Sequence, residues 1–170
     1  MENSVVFALD TNIFIEAHKR YYAFGILPAF WETLIKLARD GCVVSIDRVK
    51  NELDRGNDWV AEWANREFRD YFASTATEPV FQRYQQLLKW AEGDVQFKPK
   101  AIEDFASGDN ADAWLIAYAA ANNCVLVTHE VFQENVRSKI PIPNACKFIG
   151  VPYMNTFEML QTLGVQFCHC

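Results

Sequence analysis

The sequence has no apolar run approaching the roughly 20 residues that a membrane-spanning helix requires, which excludes a helical membrane protein. Its start, Met1-Glu2-Asn3-Ser4, lacks the basic region and long apolar stretch of a secretory signal, so export is not expected. Positive charge is scarce. Sixteen Lys and Arg stand against 22 Asp and Glu, for a net charge of −6, and this argues against nucleic-acid binding through a broad basic face. It leaves open a site of clustered carboxylates, where bound cations reverse the local sign. Internal repeats, low-complexity segments and flexible linkers are also missing. Five cysteines cannot all pair, and Cys42, Cys124 and Cys146 sit inside apolar runs, a pattern of buried, reduced thiols in a cytoplasmic protein. Cys168-His169-Cys170 lacks the second ligand pair that a structural zinc site needs and reads as a loose tail.

What is present is ample material for a core. With 51% hydrophobic residues over 170 positions, the chain is expected to form a single domain spanning 1–170 without disulfide staples. Val5–Leu9, Cys42–Ile46 and Cys124–Val127 are short, nearly continuous apolar runs, as in strands of a parallel sheet buried on both faces. Cys146–Val151 is a fourth strand candidate. Pro28–Arg39 predicts a helix, with proline in its first turn, Asp40-Gly41 as its stop, and Trp31, Leu34, Ile35 and Ala38 on one face. Further helices are predicted over 48–55, 59–72, 79–91, 102–106, 111–121 and 156–163, with an extended, proline-pinned link at 139–143. Strands alternating with helical crossovers give an α/β architecture. The helical stretch 58–106 is long for one crossover and is expected to form a helical insertion capping one edge.

Four acids recur at comparable places. Asp10 directly follows the first strand and Glu130 lies just beyond the third, where parallel sheets open their ligand crevice. Glu52 lies on the helix after the second strand, and Asp112 opens the alanine-rich helix before the third. If the four converge, the repulsion is large: two like charges ~4 Å apart at an effective dielectric of ~20 cost about 4 kcal/mol. Such a cluster calls for bound cations, and oxygen ligands at an incomplete site select Mg²⁺ or Mn²⁺.

The wording of these segments resembles the PIN-domain nucleases. Leu9-Asp10-Thr11-Asn12 is similar to the family's opening aspartate followed by a hydroxyl residue and asparagine; Ser45–Leu53 resembles its second segment, with glutamate on a helix. Asp109–Ala119 resembles the third, an aspartate leading an apolar helix, and Val127-Thr128-His129-Glu130 the fourth. Order and approximate spacing agree over residues 5–150, and the branch most similar is that of VapC-type toxins. The sequence departs from the pattern at Glu130, where the family usually has aspartate, and in the length of the 58–106 insertion.

The resemblance implies a three-layer α/β/α fold around a mostly parallel sheet of four or five strands. It also implies a Mg²⁺- or Mn²⁺-dependent endoribonuclease acting on RNA, an antitoxin protein as partner, and a homodimer. Asp10 and Asp112 would hold the principal ion. Glu52 would complete that shell or orient the attacking water, and Glu130 would bind a second ion or act through water. Asn12 and Thr128 would be hydrogen-bonding supports, with Asp109 as a further acid.

Each residue also has a plainer reading. Asp10-Thr11-Asn12 suits a strand-end turn, Asp109 suits a helix N-cap, Asp112 opposes a helix dipole, and Glu52 suits a solvated helix face. His18-Lys19-Arg20 before Tyr21-Tyr22 is either an RNA contact or a helix end over buried aromatics. Arg137 and Lys139 are candidates for a phosphate-contacting rim, whereas Trp59, Trp63 and Trp90 read as packing residues. Competing functions are a PIN-fold nuclease acting on DNA and an inactive PIN-fold binding module. An aspartyl-nucleophile phosphatase is disfavoured because Asn12 stands where one such family has a second acid.

Overall fold

The computed structural model describes residues 5–167. Five parallel strands, β1 (Phe7–Leu9), β2 (Val43–Ile46), β3 (Phe72–Ala73), β4 (Val125–Val127) and β5 (Tyr153–Met154), form one sheet in the order β3-β2-β1-β4-β5. Helices flank it, giving the three-layer PIN-like α/β architecture. β1 is buried along its whole length, which explains its unbroken apolar sequence.

The helices are α1 (Thr11–Glu16, running on as a π-helical turn Ala17–Tyr21), α2 (Pro28–Arg39), α3 (Asp47–Gly56), α4 (Trp59–Arg66), α5 (Glu78–Gly93), α6 (Pro99–Ala106), α7 (Asp112–Asn122), α8 (Ile142–Ile149) and α9 (Thr156–Thr162). Local chemistry sets their ends. α2 starts on Pro28 and stops where Gly41 takes a positive φ of 75°, as the sequence predicts. The Asp58 carboxylate accepts from the N–H groups of Val60 and Ala61 at 3.0 and 3.2 Å and so caps α4. Asn155 and Glu158 form a reciprocal capping box on α9, with both bonds at 2.9 Å.

An aromatic cluster locks α1, α2 and α4 to the sheet. Phe14 meets Phe68 edge-on at 5.5 Å, and Trp31 meets Trp63 at 4.8 Å; such pairs add about 0.5–1.5 kcal/mol each beyond the area they bury. Trp63 is therefore core, while half-buried Trp59 stacks on His18 at 5.1 Å and Trp90 on Phe148 at 4.8 Å. His18-Lys19-Arg20 forms the π-helical end of α1, and Arg20 pairs with Glu16 at 2.9 Å.

Two expectations need correction. Cys146–Val151 is not a strand; Cys146–Ile149 completes α8, which starts on Pro141–Pro143 and stops at Gly150 with φ 78°. The strand follows at Tyr153–Met154. The 58–106 stretch is not wholly helical, because a 3-10 turn at Arg69–Tyr71 delivers β3 to the sheet edge, where Ser45 and Ile46 pair with Phe72 and Ala73. Cys124 and Cys146 are buried free thiols, pushed by burial up to about 11 and about 12, and no described helix is long and apolar enough to cross a membrane. The Cys168–Cys170 tail lies outside the described residues.

Candidate active site

The strand order reverses between β1 and β4, and a parallel sheet opens its ligand crevice beyond the carboxyl ends at such a point. Asp10 stands there, one residue past β1. Its backbone N–H donates to the Val127 carbonyl at 3.0 Å, and its carboxylate Oδ2 accepts from the Thr128 hydroxyl at 3.1 Å. Ser45 on β2 donates to the Leu9 carbonyl at 2.8 Å and fixes the same strand end from the other side. Asp10 is only 1% exposed. Burial raises its carboxyl to about 7; the Thr128 bond opposes this, and the charges of Glu130 and Glu52 add to it.

Asp112 opens α7, its backbone N–H donating to the Asn110 side chain at 2.9 Å. Burial, then the charges of Asp10, Glu130 and Glu52, push its carboxyl well above the ordinary range, and the Lys139 ammonium works against them. No described group donates a hydrogen bond to its carboxylate. The fold therefore brings Asp10, Glu52 and Glu130, from three separate segments, within electrostatic reach of Asp112.

They are not equivalent. Glu52 Oε1 accepts from the Ala111 N–H at 2.8 Å, and Oε2 accepts from the Thr11 hydroxyl. Glu130 Oε1 pairs with Lys139 at 3.2 Å, Oε2 accepts from the Ile142 N–H at 2.8 Å, and its own N–H donates to Thr128 Oγ1 at 3.1 Å. Each glutamate oxygen thus accepts one bond and Asp10 accepts from Thr128 and the Thr11 N–H, whereas the Asp112 carboxylate has no donor among the described residues. Among the described residues, no three His, Cys, Asp or Glu side chains form a ready set for an ion. A buried and a half-buried carboxylate that repel each other still fit Mg²⁺ or Mn²⁺, which bind through one or two carboxylates and retain water for exchange with phosphate oxygens.

Of the supporting residues that the resemblance implies, Thr128 donates a hydrogen bond to Asp10. Asn12 bonds neither Asp10 nor another described side chain; it is exposed on an open groove of about 470 Å³ shared with Arg20, Tyr21, His129, Glu130 and Phe157. Asp109 points into solvent, 86% exposed and paired with Arg55 at 2.9 Å. Three groups that sequence reasoning missed are the Thr11 hydroxyl and the Ala111 and Ile142 N–H groups. Only Thr11 left a signal, as the hydroxyl residue between Asp10 and Asn12.

Residues 7–167 match the family described as "Domain of unknown function (DUF4411)". Among solved structures, a chain of VapBC2 from Rickettsia felis, determined bound to a DNA fragment from their promoter, is similar with a TM-score of 0.52 and 17% identity, over 89% of this chain and 98% of that one. At that identity the likeness establishes the fold and nothing finer. No curated protein matches the sequence.

Proposed function

The chain belongs to the DUF4411 family, a domain of unknown function, and we propose that its acidic crevice is the active site of a metal-dependent nuclease hydrolysing RNA phosphodiester bonds. One observation carries this reading. Asp10, buried, and Asp112, half-buried, lie at the switch point of a PIN-like sheet with the charge of Asp10 acting on Asp112, while Glu52 and Glu130 are braced by neighbouring donors. Such a pair is unfavourable unless protonated or bridged by a cation.

Asp10 and Asp112 would hold Mg²⁺ or Mn²⁺. Bound there, the ion would neutralise charge on the phosphodiester and ease ionisation of an attacking water. Thr128 fixes Asp10 by occupying Oδ2. Glu52 ties α1 to the residue before Asp112 and so sets where α7 begins. Glu130 ties the end of β4 to the start of α8. Both glutamates would act as positioning residues.

The net charge of −6 favours a single-stranded RNA substrate over duplex DNA, which calls for a larger basic surface. The resemblance of the four acid-bearing segments to VapC-type toxins, together with a fold shared with a VapBC2 chain, motivates the further proposal of a toxin with a protein antitoxin as partner; a cytoplasmic site of action and a homodimer belong to the same proposal. Residues 1–170 would act as one domain.

The test is cleavage of total cellular RNA with Mg²⁺ or Mn²⁺, comparing wild type, Asp10→Asn and an EDTA control, alongside flap DNA. Discrete fragments that need metal and vanish in the variant are expected. Cleavage of DNA alone would move the assignment to the DNA reading, and full activity in Asp10→Asn would refute the site.

A further inference from the structure

We infer that an RNA strand reaching the crevice is held by its unpaired bases, stacked on an exposed aromatic shelf of Tyr21, Phe157 and Tyr153, and not by its phosphates. The inference rests on the nuclease reading above and adds how the substrate is gripped.

Two grooves meet beside the acids. The first, of about 470 Å³, follows one face of α1 and its π-helical end, where Asn12, Glu16 and Arg20 recur at i, i+4 and i+8. The second, of about 460 Å³, lies beyond the carboxyl ends of β4 and β5 and reaches Thr128 and Tyr153. They share His129, Glu130 and Phe157, so they form one continuous path past the end of β4. Thr128 lines that path and bonds Asp10 at 3.1 Å, which makes the path contiguous with the acidic crevice.

The fold leaves the rings of the shelf free. Tyr21 is 52%, Phe157 42% and Tyr153 40% exposed. Tyr21 and Phe157 meet edge-to-face at 5.7 Å and brace each other. Neighbouring aromatics are committed elsewhere. Tyr22 stacks on Phe30 at 4.3 Å, and the Lys147 ammonium lies over the Phe132 ring at 4.6 Å. Of the Tyr21-Tyr22 pair, one residue therefore packs inward and the other faces the groove.

Charge along the path argues against a grip on the phosphates. Its lining carries Glu16, Glu130 and Glu158 against one Arg or Lys, Arg20, which is itself paired with Glu16 at 2.9 Å. A polyanion gains no net attraction from such a set. Unpaired bases are uncharged, and they stack on aromatic side chains with little regard to sequence. The exposed Asn12 amide in the same groove can meet a base edge.

The test is fluorescence anisotropy of the full chain with a labelled, unstructured RNA of about 12 nucleotides, in EDTA so that metal-dependent cleavage is silent. Between about 50 and 200 mM salt the affinity should fall no more than roughly 3-fold, the loss that one phosphate contact gives. Phe157→Ala and Tyr21→Ala should each weaken binding roughly 10-fold. Phe157→Leu, which keeps apolar bulk without a ring, should lose as much, and Phe157→Trp should bind at least as tightly as wild type. A fully paired RNA duplex should not compete. The substituted positions are exposed, so the variants should fold, as thermal unfolding will verify. A steep salt dependence, equal competition by duplex, wild-type affinity in Phe157→Ala or Phe157→Leu, or no binding by folded wild type would overturn the inference. So would a self-associated wild type that Phe157→Ala makes monomeric in sedimentation, because the shelf would then join copies of this chain. Stacking-type binding by a chain that cleaves no RNA with Mn²⁺ would sink the nuclease reading alone, and cleavage without such binding would sink this inference alone.

Discussion

Thr128 donates to Asp10 across 3.1 Å while accepting from the Glu130 N–H at the same distance, so one hydroxyl joins the carboxyl ends of two neighbouring strands to two of the four acids. Thr128 is 2% exposed, and a valine there would match its shape but strand both partners. Thr128→Val should lower stability by about 1–3 kcal/mol. It should also weaken Mn²⁺ binding roughly 10- to 100-fold. Urea unfolding and calorimetry check the two effects separately.

The metal-free protein should lose stability as pH rises. Asp10 is raised from 3.8 to about 7 on folding, so its favourable contribution is fully present below about 3.8 and is lost as pH climbs through 7. Each pH unit between the two values corresponds to about 1.4 kcal/mol. Asp112 is shifted the same way and adds to the trend. In EDTA at pH 8, Asp10→Asn should therefore melt above wild type, and added Mn²⁺ should raise only the wild type. Identical melting curves across pH 4–8 would contradict the buried-carboxylate assignment.

Asp109 provides a contrast. Its side chain is 86% exposed and its partner Arg55 is 53% exposed, so the pair should contribute no more than about 1 kcal/mol. Asp109→Asn should leave Mn²⁺ affinity and RNA cleavage unchanged. A large loss of either would place Asp109 back among the working acids.

Trp63 should be among the costliest residues to truncate. It is 3% exposed and packs against Phe14, Trp31 and Phe68. Trp63→Ala should destabilise by about 3–5 kcal/mol, read as a lower urea midpoint with an unchanged slope.

The parts of the fold legible in the sequence were those with a local signature. β1, β2 and β4 are short apolar runs, and α2 carries proline at its start and glycine just past its end. β3 and β5 have two residues each, too few for any period to register, and their pairing depends on what lies beside them. Cys146–Ile149 carries strand-like residues, yet the prolines ahead of it and Gly150 behind it made it helical. The four acids were visible as strand- and helix-end residues. That Glu52 would accept the N–H of Ala111, 59 residues away, was not, because a bond between distant segments leaves no local pattern.

The two outermost strands have a consequence for how copies of this chain behave at high concentration. Exposed sheet margins invite another polypeptide to add on, through rows of unpaired amides and carbonyls. Here both margins are two residues long, one following a 3-10 turn and the other a proline, so neither offers enough rungs to template a neighbour. Self-association of the native state should thus proceed through side-chain surfaces rather than by extension of the sheet.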